Sequence, residues 1–384
     1  MLKTATLTWN SFYNYGTCLQ AYALQHFIES IGYENLIIDD SRIITENNRL
    51  QGINGERKSK KNKWTKRWKK LWQSFHSKYR AFYKYQRILC PSINHYKIHS
   101  LKIYYDIESV LTDKADFDVY ICGSDQIWKP EGFENMQWPF YYASFTPKPK
   151  IAYAPSIGKY QIPEIWKKKV SELIAPFSVL SVREEAGREA IQELTDKPVE
   201  LVADPTLLLS RQEWDAVLPA QKNKKEKYVL GYILTPNQQL YKIARDYAHQ
   251  HGMKFYLFML NLEDYGQADR LVSGGPFEFL RYIHDAETVF TDSYHGTIFS
   301  AIFETPFYTF KRFADDSPIN QNSRIETLLT FMGATDRLID EGNKVLIDKM
   351  PDFNTIKNRL NPLIEHSKAF LRTSLSAIEE SLNK

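Results

Sequence analysis

The sequence has few cysteines and no long apolar run, and both absences exclude whole classes of protein. Its three cysteines, Cys18, Cys90 and Cys122, are odd in number and far apart, which gives neither a disulfide framework nor a zinc spacing. No run of eighteen apolar residues occurs, and the N-terminus lacks the apolar core of a signal peptide. We therefore expect a cytoplasmic protein without a structural metal.

Several familiar catalytic motifs are also missing. The chain has no P-loop pattern, no G-x-G-x-x-G after a strand, no G-x-S-x-G nucleophile elbow and no H-E-x-x-H pair. Its histidines do not cluster with carboxylates at the spacing of metal ligands. These absences predict an active site without a catalytic metal.

Length and composition indicate a globular chain of two domains. At 384 residues the chain is too long for one ordinary core, and 43% hydrophobic with 25% charged residues is typical of a soluble protein. A polar break, PAQKNKKEK at 219–227, marks the boundary. We place the first domain at 1–218, the second at 219–350, and a helix that packs back on the first domain at 351–384.

Short apolar runs between helical patterns predict the fold class. Runs such as 119–122 and 201–203 do not alternate, as expected of strands buried on both faces. In the second domain strands and helices alternate at 228–234, 237–250, 254–259, 276–285, 288–291, 297–303 and 306–310. The prediction is an α/β protein with two doubly wound, Rossmann-like domains that face a cleft, where ligands lie beyond the carboxyl ends of the strands.

The stretch TDSYHGTIFSAIFETPF at 291–307 interrupts this apolar pattern with polar and small residues. If the segment 293–296 is a turn and Thr297 begins a helix, unpaired backbone N–H groups form an anion site in the cleft. Gly296 would let an anion approach the backbone closely. His295 then either donates a proton or a hydrogen bond to the ligand, or caps the helix.

Other strand ends carry polar side chains of the same kind. Asp125, after the run 119–122, either accepts a proton from a sugar hydroxyl or bonds local backbone, and Trp128 either stacks on a sugar ring or fills the core. Arg183 either clamps a carboxylate or phosphate or pairs with a neighbouring acid. Asn14 is a helix cap candidate, and Asp204 before a proline is expected to be structural.

One segment makes the chain basic. Residues 57–87 contain thirteen Lys or Arg and no acid, so the rest of the chain has a formal charge of −9 against a total of +4. Aromatic residues recur there at steps of three or four, at Trp64, Trp68, Trp72, Phe75, Tyr79 and Phe82. A helix with this pattern, within an insertion at about 50–100, suits an anionic membrane surface better than nucleic acid. The alternative is a solvated insertion.

Six strings, in this order, resemble the polysaccharide pyruvyl transferase family: NYGTCLQAYALQ, GSDQIW, YAPSIG, SVREEAG, ADPTLLL and TDSYHGTIFSAIFETPF. The resemblance covers nearly the whole chain. It implies a fold like that of GT-B glycosyltransferases and transfer of pyruvate from phosphoenolpyruvate to a sugar of a cell-surface polysaccharide, such as an exopolysaccharide or capsule, as a ketal. The acceptor would be free or lipid-linked, at the inner face of the membrane, and no cofactor is implied.

The working assignment for such a reaction uses residues at the strand ends. His295 serves as the general acid and Asp125 as the base. The expected donor-binding residues are Arg183, Ser293, Tyr294, Gly296, Thr297 and Arg324. The expected acceptor-binding residues are Asn14, Ser124, Trp128 and Ser156.

One departure from the family pattern concerns Ser293. Characterised members commonly have an arginine two positions before the histidine, where this chain has serine. Arg324, Arg312 and Lys311 are the candidate replacements, with Arg324 preferred. A nucleotide-sugar glycosyltransferase is the alternative function, although no acidic pair eight residues apart follows Glu278; a non-catalytic glycan or membrane binding module is another.

Overall fold

Two parallel β-sheets, one in each half of the chain, form the framework of the molecule. The computed structural model describes residues 2–50, 77–130, 137–220, 226–313, 317, 320–339 and 350–384. The strands of the N-terminal lobe are β1 (Lys3–Leu7), β2 (Glu34–Ile38), β3 (Ile103–Tyr104), β4 (Val119–Cys122), β5 (Lys150–Ala152), β6 (Leu180–Val182) and β7 (Val199–Leu201). The first five form one sheet in the order β3-β2-β1-β4-β5, β6 pairs with β7, and a bridge between Ile151 and Val179 links the two groups.

The helices of this lobe cover its sheet. They are α1 (Tyr15–Ser30), α2 (Ser41–Leu50), α3 (Ser77–Ser100), α4 (Ile107–Leu111), α5 (Gln137–Tyr141), α6 (Glu164–Ile174), α7 (Glu185–Gln192) and α8 (Arg211–Ala216). The run of β4 is buried along its whole length, which explains why it is apolar without alternation. Of the basic segment, only 77–87 is described and belongs to α3; Trp64, Trp68, Trp72 and Phe75 lie outside the described residues.

The C-terminal lobe repeats this architecture. Its strands are β8 (Tyr228–Tyr232), β9 (Lys254–Phe258), β10 (Arg270–Val272), β11 (Thr288–Thr291), β12 (Phe307–Phe310) and β13 (Leu338–Ile339), in the order β10-β9-β8-β11-β12-β13. Its helices are α9 (Gln238–Gln250), α10 (Pro276–His284), α11 (Tyr294–Ile302) and α12 (Ser323–Met332), and the last helix of the chain is α13 (Phe353–Leu382). The predicted fold class, two doubly wound sheets with a C-terminal helix, is confirmed.

The last helix and an aromatic cluster join the two lobes. α13 contacts the C-terminal lobe through Arg359, whose Nε donates to the carbonyl of Phe331 at 3.1 Å, and the N-terminal lobe through Ser367, whose Oγ accepts from the backbone N–H of Ala203 at 2.7 Å. The Tyr15 ring of α1 stacks on a ring of α10, 4.7 Å away. Among the described helices, none combines the length and apolar character needed to cross a bilayer.

The order of the strands in each sheet determines where the cleft lies. It reverses between β1 and β4 in the first sheet and between β8 and β11 in the second. Loops that leave adjacent strands at such a point diverge and open a crevice at the carboxyl ends. The segments after β1, β4, β8 and β11 therefore face one another across the lobes.

Candidate active site

A cavity of ≈ 330 Å³ lies between the lobes at this crevice. The N-terminal lobe lines it with Trp9, Phe12, Asn14, Thr17, Asp125, Gln126 and Lys129. The C-terminal lobe lines it with Leu234, Asp292, Ser293, Tyr294, His295, Arg312, Phe313, Gln321, Arg324 and Ile325. The cavity thus brings together five of the predicted site residues besides Asn14: Asp125, Ser293, Tyr294, His295 and Arg324.

Two helices begin at the cavity, and both are capped by a polar side chain. Asn14 Oδ1 accepts a hydrogen bond from the N–H of Thr17 at 3.2 Å and caps α1, as the sequence predicted. Ser293 Oγ accepts from the N–H of Gly296 at 3.2 Å and caps α11. The helix predicted to begin at Thr297 therefore begins three residues earlier, because the serine cap lets the chain enter helical geometry at once.

The first turn of α11 keeps unused donors. Ser293 uses its own N–H on the Thr291 hydroxyl, at 3.0 Å. The N–H groups of Tyr294 and His295 have no acceptor among the described residues. A helix N-terminus of nine residues with free amides on a cavity wall carries partial positive charge and favours an anion.

The imidazole of His295 crosses from one lobe to the other and lies against Gly16 of α1. A Cβ atom on Gly16 would be 2.1 Å from His295 Nδ1, so only glycine leaves room for the ring. The side chain is almost buried, with 7% of the residue exposed. The N-terminal lobe therefore helps to fix the position of a histidine that belongs to the C-terminal lobe.

Asp204 lies on the other side of the same ring. His295 Nε2 is 3.6 Å from Asp204 Oδ2, longer than a hydrogen bond but within ion-pair range, and Nε2 is buried without a hydrogen-bond partner. Asp204 Oδ1 accepts from the N–H of Thr206 at 3.0 Å. Burial opposes ionisation of Asp204, but the nearby charges of His295 and Arg183 outweigh it and hold its pKa well below the usual value. The sequence predicted a structural role for Asp204, whereas the structure places its carboxylate beside His295.

Arg183 lies behind the cavity wall rather than in it. Its Nη1 donates to Asp204 Oδ2 at 2.6 Å, its Nη2 donates to Asp125 Oδ1 at 3.3 Å, and Glu184 Oε2 is 3.8 Å from Nε. The guanidinium also lies over the Tyr294 ring, 4.8 Å from its centroid. With its side chain fully buried among three carboxylates, Arg183 takes the ion-pair alternative and not the predicted contact with the donor.

Asp125 is one of the two acids that line the cavity, together with Asp292. Its Oδ2 accepts from the Thr17 hydroxyl at 2.7 Å, and its Oδ1 accepts from the N–H of Gln126 at 2.9 Å. Burial opposes ionisation, but the charges of Arg183 and His295 outweigh it and lower the pKa of Asp125. Asp125 therefore stands at the cavity as a carboxylate that can accept a hydrogen bond from a ligand hydroxyl.

Arg324 is a buried cation without a carboxylate partner. Its Nη2 donates to Gln321 Oε1 at 3.0 Å, and with the Gln126 amide turned toward it, that amide oxygen accepts from both Nη atoms at 2.9 and 2.7 Å. Within the described part of the chain, no acid lies in ion-pair range of it, and its Nε lacks a partner. Burial, with repulsion from Arg183, lowers the pKa of Arg324 to about 10.

Arg312 adds a second cation to this wall. Its Nε donates to the Thr235 hydroxyl at 2.7 Å. The C-terminal wall thus combines two guanidinium groups with the N-terminus of α11. Arg324 is buried and Arg312 is half-buried, and Asp292 is the acid on the same wall. A buried guanidinium is costly without a compensating charge, so an anionic ligand would be favourable at this wall.

Besides Arg183, five predicted site residues do not line the cavity. Trp128, 1% exposed, fills the core: its ring stacks on Tyr142 at 4.7 Å. Ser124 and Ser156 donate to neighbouring acceptors behind the wall, and Gly296 and Thr297 lie inside α11. The aromatic side chains at the cavity are instead Trp9, Phe12 and Phe313.

Metal ligands are not gathered anywhere in the described ranges. Those ranges contain no group of three or more His, Cys, Asp or Glu side chains that could hold a metal ion. The polar groups of the lining are amides, hydroxyls, two guanidinium groups, the ammonium group of Lys129, one imidazole and two carboxylates, Asp125 and Asp292.

The sequence profile of the polysaccharide pyruvyl transferase family matches residues 14–312, which include both walls of the cavity up to Arg312. The chain belongs to this family. No curated protein matches the chain in sequence. Membership of this family indicates that the protein is a transferase. The resemblance of the six sequence motifs to the family is confirmed.

Solved structures support the fold. The UDP-GlcNAc 2-epimerase from Neisseria meningitidis, bound to UDP-GlcNAc, is 9% identical with a TM-score of 0.50, over 98% of this chain and 100% of that one. The S. aureus MnaA–UDP structure is 10% identical with a TM-score of 0.50, over 97% of this chain and 91% of the other. At such identities the likeness shows a two-lobed GT-B-like fold and nothing about substrate.

Proposed function

We propose that this family member transfers pyruvate from phosphoenolpyruvate to a sugar of a cell-surface polysaccharide or its lipid-linked precursor, as a ketal, in the cytoplasm. The observation that carries the proposal is the buried guanidinium of Arg324, which forms no ion pair with any described residue, beside the free amides of α11. Family membership supports a transferase of this class. The cavity supports a small, doubly anionic donor.

The donor is assigned to the C-terminal wall by charge. Phosphoenolpyruvate has a phosphate and a carboxylate on one small carbon skeleton, so its site needs two cationic positions close together. The amides of Tyr294 and His295 suit one anionic group, and Arg324, with Arg312, suits the other. Arg324 would then supply the charge that an arginine at position 293 supplies in relatives.

The acceptor is assigned to the opposite wall. Asp125 and Asn14 offer polar contacts to sugar hydroxyls, and Trp9 with Phe12, whose ring centroids are 5.0 Å apart, offers an apolar face. A sugar between these walls would have its hydroxyls near C2 of the donor. This arrangement replaces the predicted stacking on Trp128.

The reaction needs one proton delivered to the donor and two taken from the acceptor. His295 protonates C3, C2 becomes electrophilic, and one sugar hydroxyl adds to it as Asp125 accepts its proton. The second hydroxyl then displaces phosphate from C2 and closes the ketal. Of the two hydroxyl protons, one restores His295 and the other leaves on the phosphate. Because His295 Nε2 faces Asp204, Nδ1 is the ring nitrogen left to act on the donor.

Release of phosphate from phosphoenolpyruvate, measured with a panel of free and lipid-linked glycans, tests this function. We expect release only with an acceptor and at least a hundredfold loss in His295→Ala. The control is His366→Ala, a histidine of α13 at the surface. No release with any glycan would contradict the proposal, consumption of a nucleotide sugar instead would favour a glycosyltransferase, and glycan binding without turnover would favour a binding module.

A further inference from the structure

Helix α3 has a charge composition unlike that of the rest of the molecule. Its 24 residues, SKYRAFYKYQRILCPSINHYKIHS, contain five Lys or Arg and no acid. Outside 57–87 the chain is negative on balance, with a formal charge of −9. Positive charge is therefore concentrated in one segment of the sequence, and the described part of that segment, 77–87, belongs to α3.

The inner side of α3 holds it across both lobes. Ile93 and Tyr96 are buried, and the Tyr96 hydroxyl donates to the carbonyl of Cys18 in α1 at 3.2 Å. Nearer its start, the Tyr85 hydroxyl donates to the carbonyl of Leu271 in β10 at 2.9 Å. Contacts to both lobes, through α1 and β10, fix which side of the helix faces outward.

The outer side of α3 is cationic and apolar at once. Arg80, Lys84 and Arg87 are exposed at helical spacing, and no described residue forms an ion pair with them. Between them lie Tyr83, 47% exposed, and Ile88, 40% exposed. Exposed aromatic and aliphatic side chains within an unneutralised basic stripe are typical of a helix that lies in a membrane interface.

The same stripe fits a bilayer better than a nucleic acid. Phosphate groups on either partner would neutralise the basic side chains. Ile88 and Ile98, which is 66% exposed, would gain nothing from a phosphodiester backbone, but in a bilayer they enter the apolar boundary. A flat anionic surface would contact only the basic outer side of α3. The acidic remainder of the protein would then stay in solution.

The end of α3 lies close to the candidate active site. Lys97 Nζ is 5.9 Å from the centroid of the Tyr13 ring. The neighbours of Tyr13 in the chain, Phe12 and Asn14, both line the cavity. A surface bound along α3 would therefore lie near the acceptor wall.

We propose that the outer face of α3, formed by Arg80, Tyr83, Lys84, Arg87 and Ile88, docks the protein on an anionic phospholipid bilayer. The consequence for substrate rests on the proposed function: the acceptor is a glycan carried on a membrane lipid. Docking itself requires neither donor nor acceptor, so it can fail or hold independently of the transferase reaction.

Co-sedimentation with vesicles tests the proposal without any substrate. The vesicles are phosphatidylcholine alone, or phosphatidylcholine with phosphatidylglycerol. We expect the wild type to bind the anionic vesicles, and Arg80→Glu/Lys84→Glu/Arg87→Glu to bind about a hundredfold more weakly, since each basic residue near an anionic surface contributes roughly fivefold. Lys167→Glu/Lys168→Glu/Lys169→Glu, which reverses the same number of charges on α6, should bind as the wild type does.

A second variant separates membrane insertion from attraction of charge alone. Tyr83→Ser/Ile88→Ser keeps every charge, and we expect it to bind anionic vesicles at least tenfold more weakly than the wild type. A wild type that ignores anionic vesicles, an α3 charge variant that binds like the wild type, or an apolar variant with undiminished binding would each overturn the proposal. So would release of the bound wild type from the vesicles by an added RNA duplex, since nucleic acid would then be the preferred partner.

Discussion

The imidazole of His295 is positioned by residues of the opposite lobe. Gly16 leaves the space that the ring fills, and Asp204 lies 3.6 Å from its buried nitrogen. The general acid of the proposed reaction is thus complete only when both lobes contribute.

Replacing Gly16 tests this arrangement. Gly16→Ala places a Cβ 2.1 Å from His295 Nδ1, so the ring or α1 must shift, and we expect turnover to fall by about a hundredfold. Steady-state phosphate release, with thermal unfolding as the folding check, measures the effect. Ser30→Ala is the control, because Ser30 lies exposed at the other end of the same helix, α1. Undiminished turnover in Gly16→Ala would show that the ring position does not matter.

The sequence predicts which residues stand at strand ends but not the direction of each side chain. His295, Asp125 and Arg324 line the cavity as expected, since each follows a strand or begins a helix at that edge. Arg183 and Trp128 occupy equivalent positions and point into the protein, because carboxylates and an apolar core are there to receive them. Those partners are distant in sequence, so no local pattern reveals them.

At the scale of elements, Arg183 ties together the ends of three strands. Ser124 and Asp125 follow β4, Arg183 and Glu184 follow β6, and Asp204 follows β7. Each carboxylate would be costly to bury alone, and the shared guanidinium compensates them. We call this cluster, Arg183 with the carboxylates of Asp125, Glu184 and Asp204, the Arg183 cage. It fixes the loop that presents Asp125 to the cavity and the loop that presents Asp204 to His295.

Removal of this cation should destabilise the protein in a pH-dependent way. The native pKa values of Asp125 and Asp204 lie below the ordinary value of 3.8, so their stabilising effect is present above that pH and is lost as pH falls through the native values. In Arg183→Met both carboxylates lose their partner, and we expect a loss of about 3–5 kcal/mol at neutral pH that shrinks in acid.

Urea unfolding of the wild type and Arg183→Met, from neutral pH down to about pH 3, measures this difference. Arg42→Met is the control, since Arg42 pairs with Glu108 at the surface and contributes little. Equal stability of Arg183→Met and the wild type, or a difference that does not change with pH, would contradict the claim that Arg183 stabilises these buried carboxylates.

The start of α11 shows which part of a helix boundary the sequence predicts and which part it does not. Ser293 and Gly296 read as turn residues, so the helix was predicted from Thr297. In the structure Ser293 is the cap and Gly296 lies in the first turn, where a Cβ would be 2.6 Å from Thr291 Oγ1. The unpaired N–H groups lie at the helix N-terminus, but they belong to Tyr294 and His295, before the predicted start at Thr297, and the anion site itself stays a prediction.

At the scale of the molecule, the two lobes contribute different charged groups to the cavity. Arg312, Arg324 and Asp292 belong to the C-terminal wall, and Asp125 and Lys129 belong to the N-terminal wall. Alternation of strands and helices was enough to predict two doubly wound lobes. The pairing of the walls was not predictable, because contacts such as the Tyr15 hydroxyl on the Gly274 carbonyl, at 3.0 Å, join residues 259 positions apart.

The central claim is that the buried Arg324, which has no ion-pair partner within the described ranges, and the α11 amides hold a doubly anionic donor between the lobes. Calorimetric titration of phosphoenolpyruvate into the acceptor-free protein is its most direct test. We expect the wild type to bind a single molecule, Arg42→Met to bind equally, and Arg324→Met to bind about 10 to 100 times more weakly, as for the loss of charge-assisted hydrogen bonds. Absence of binding by the wild type, or equal binding by Arg324→Met, would contradict the account.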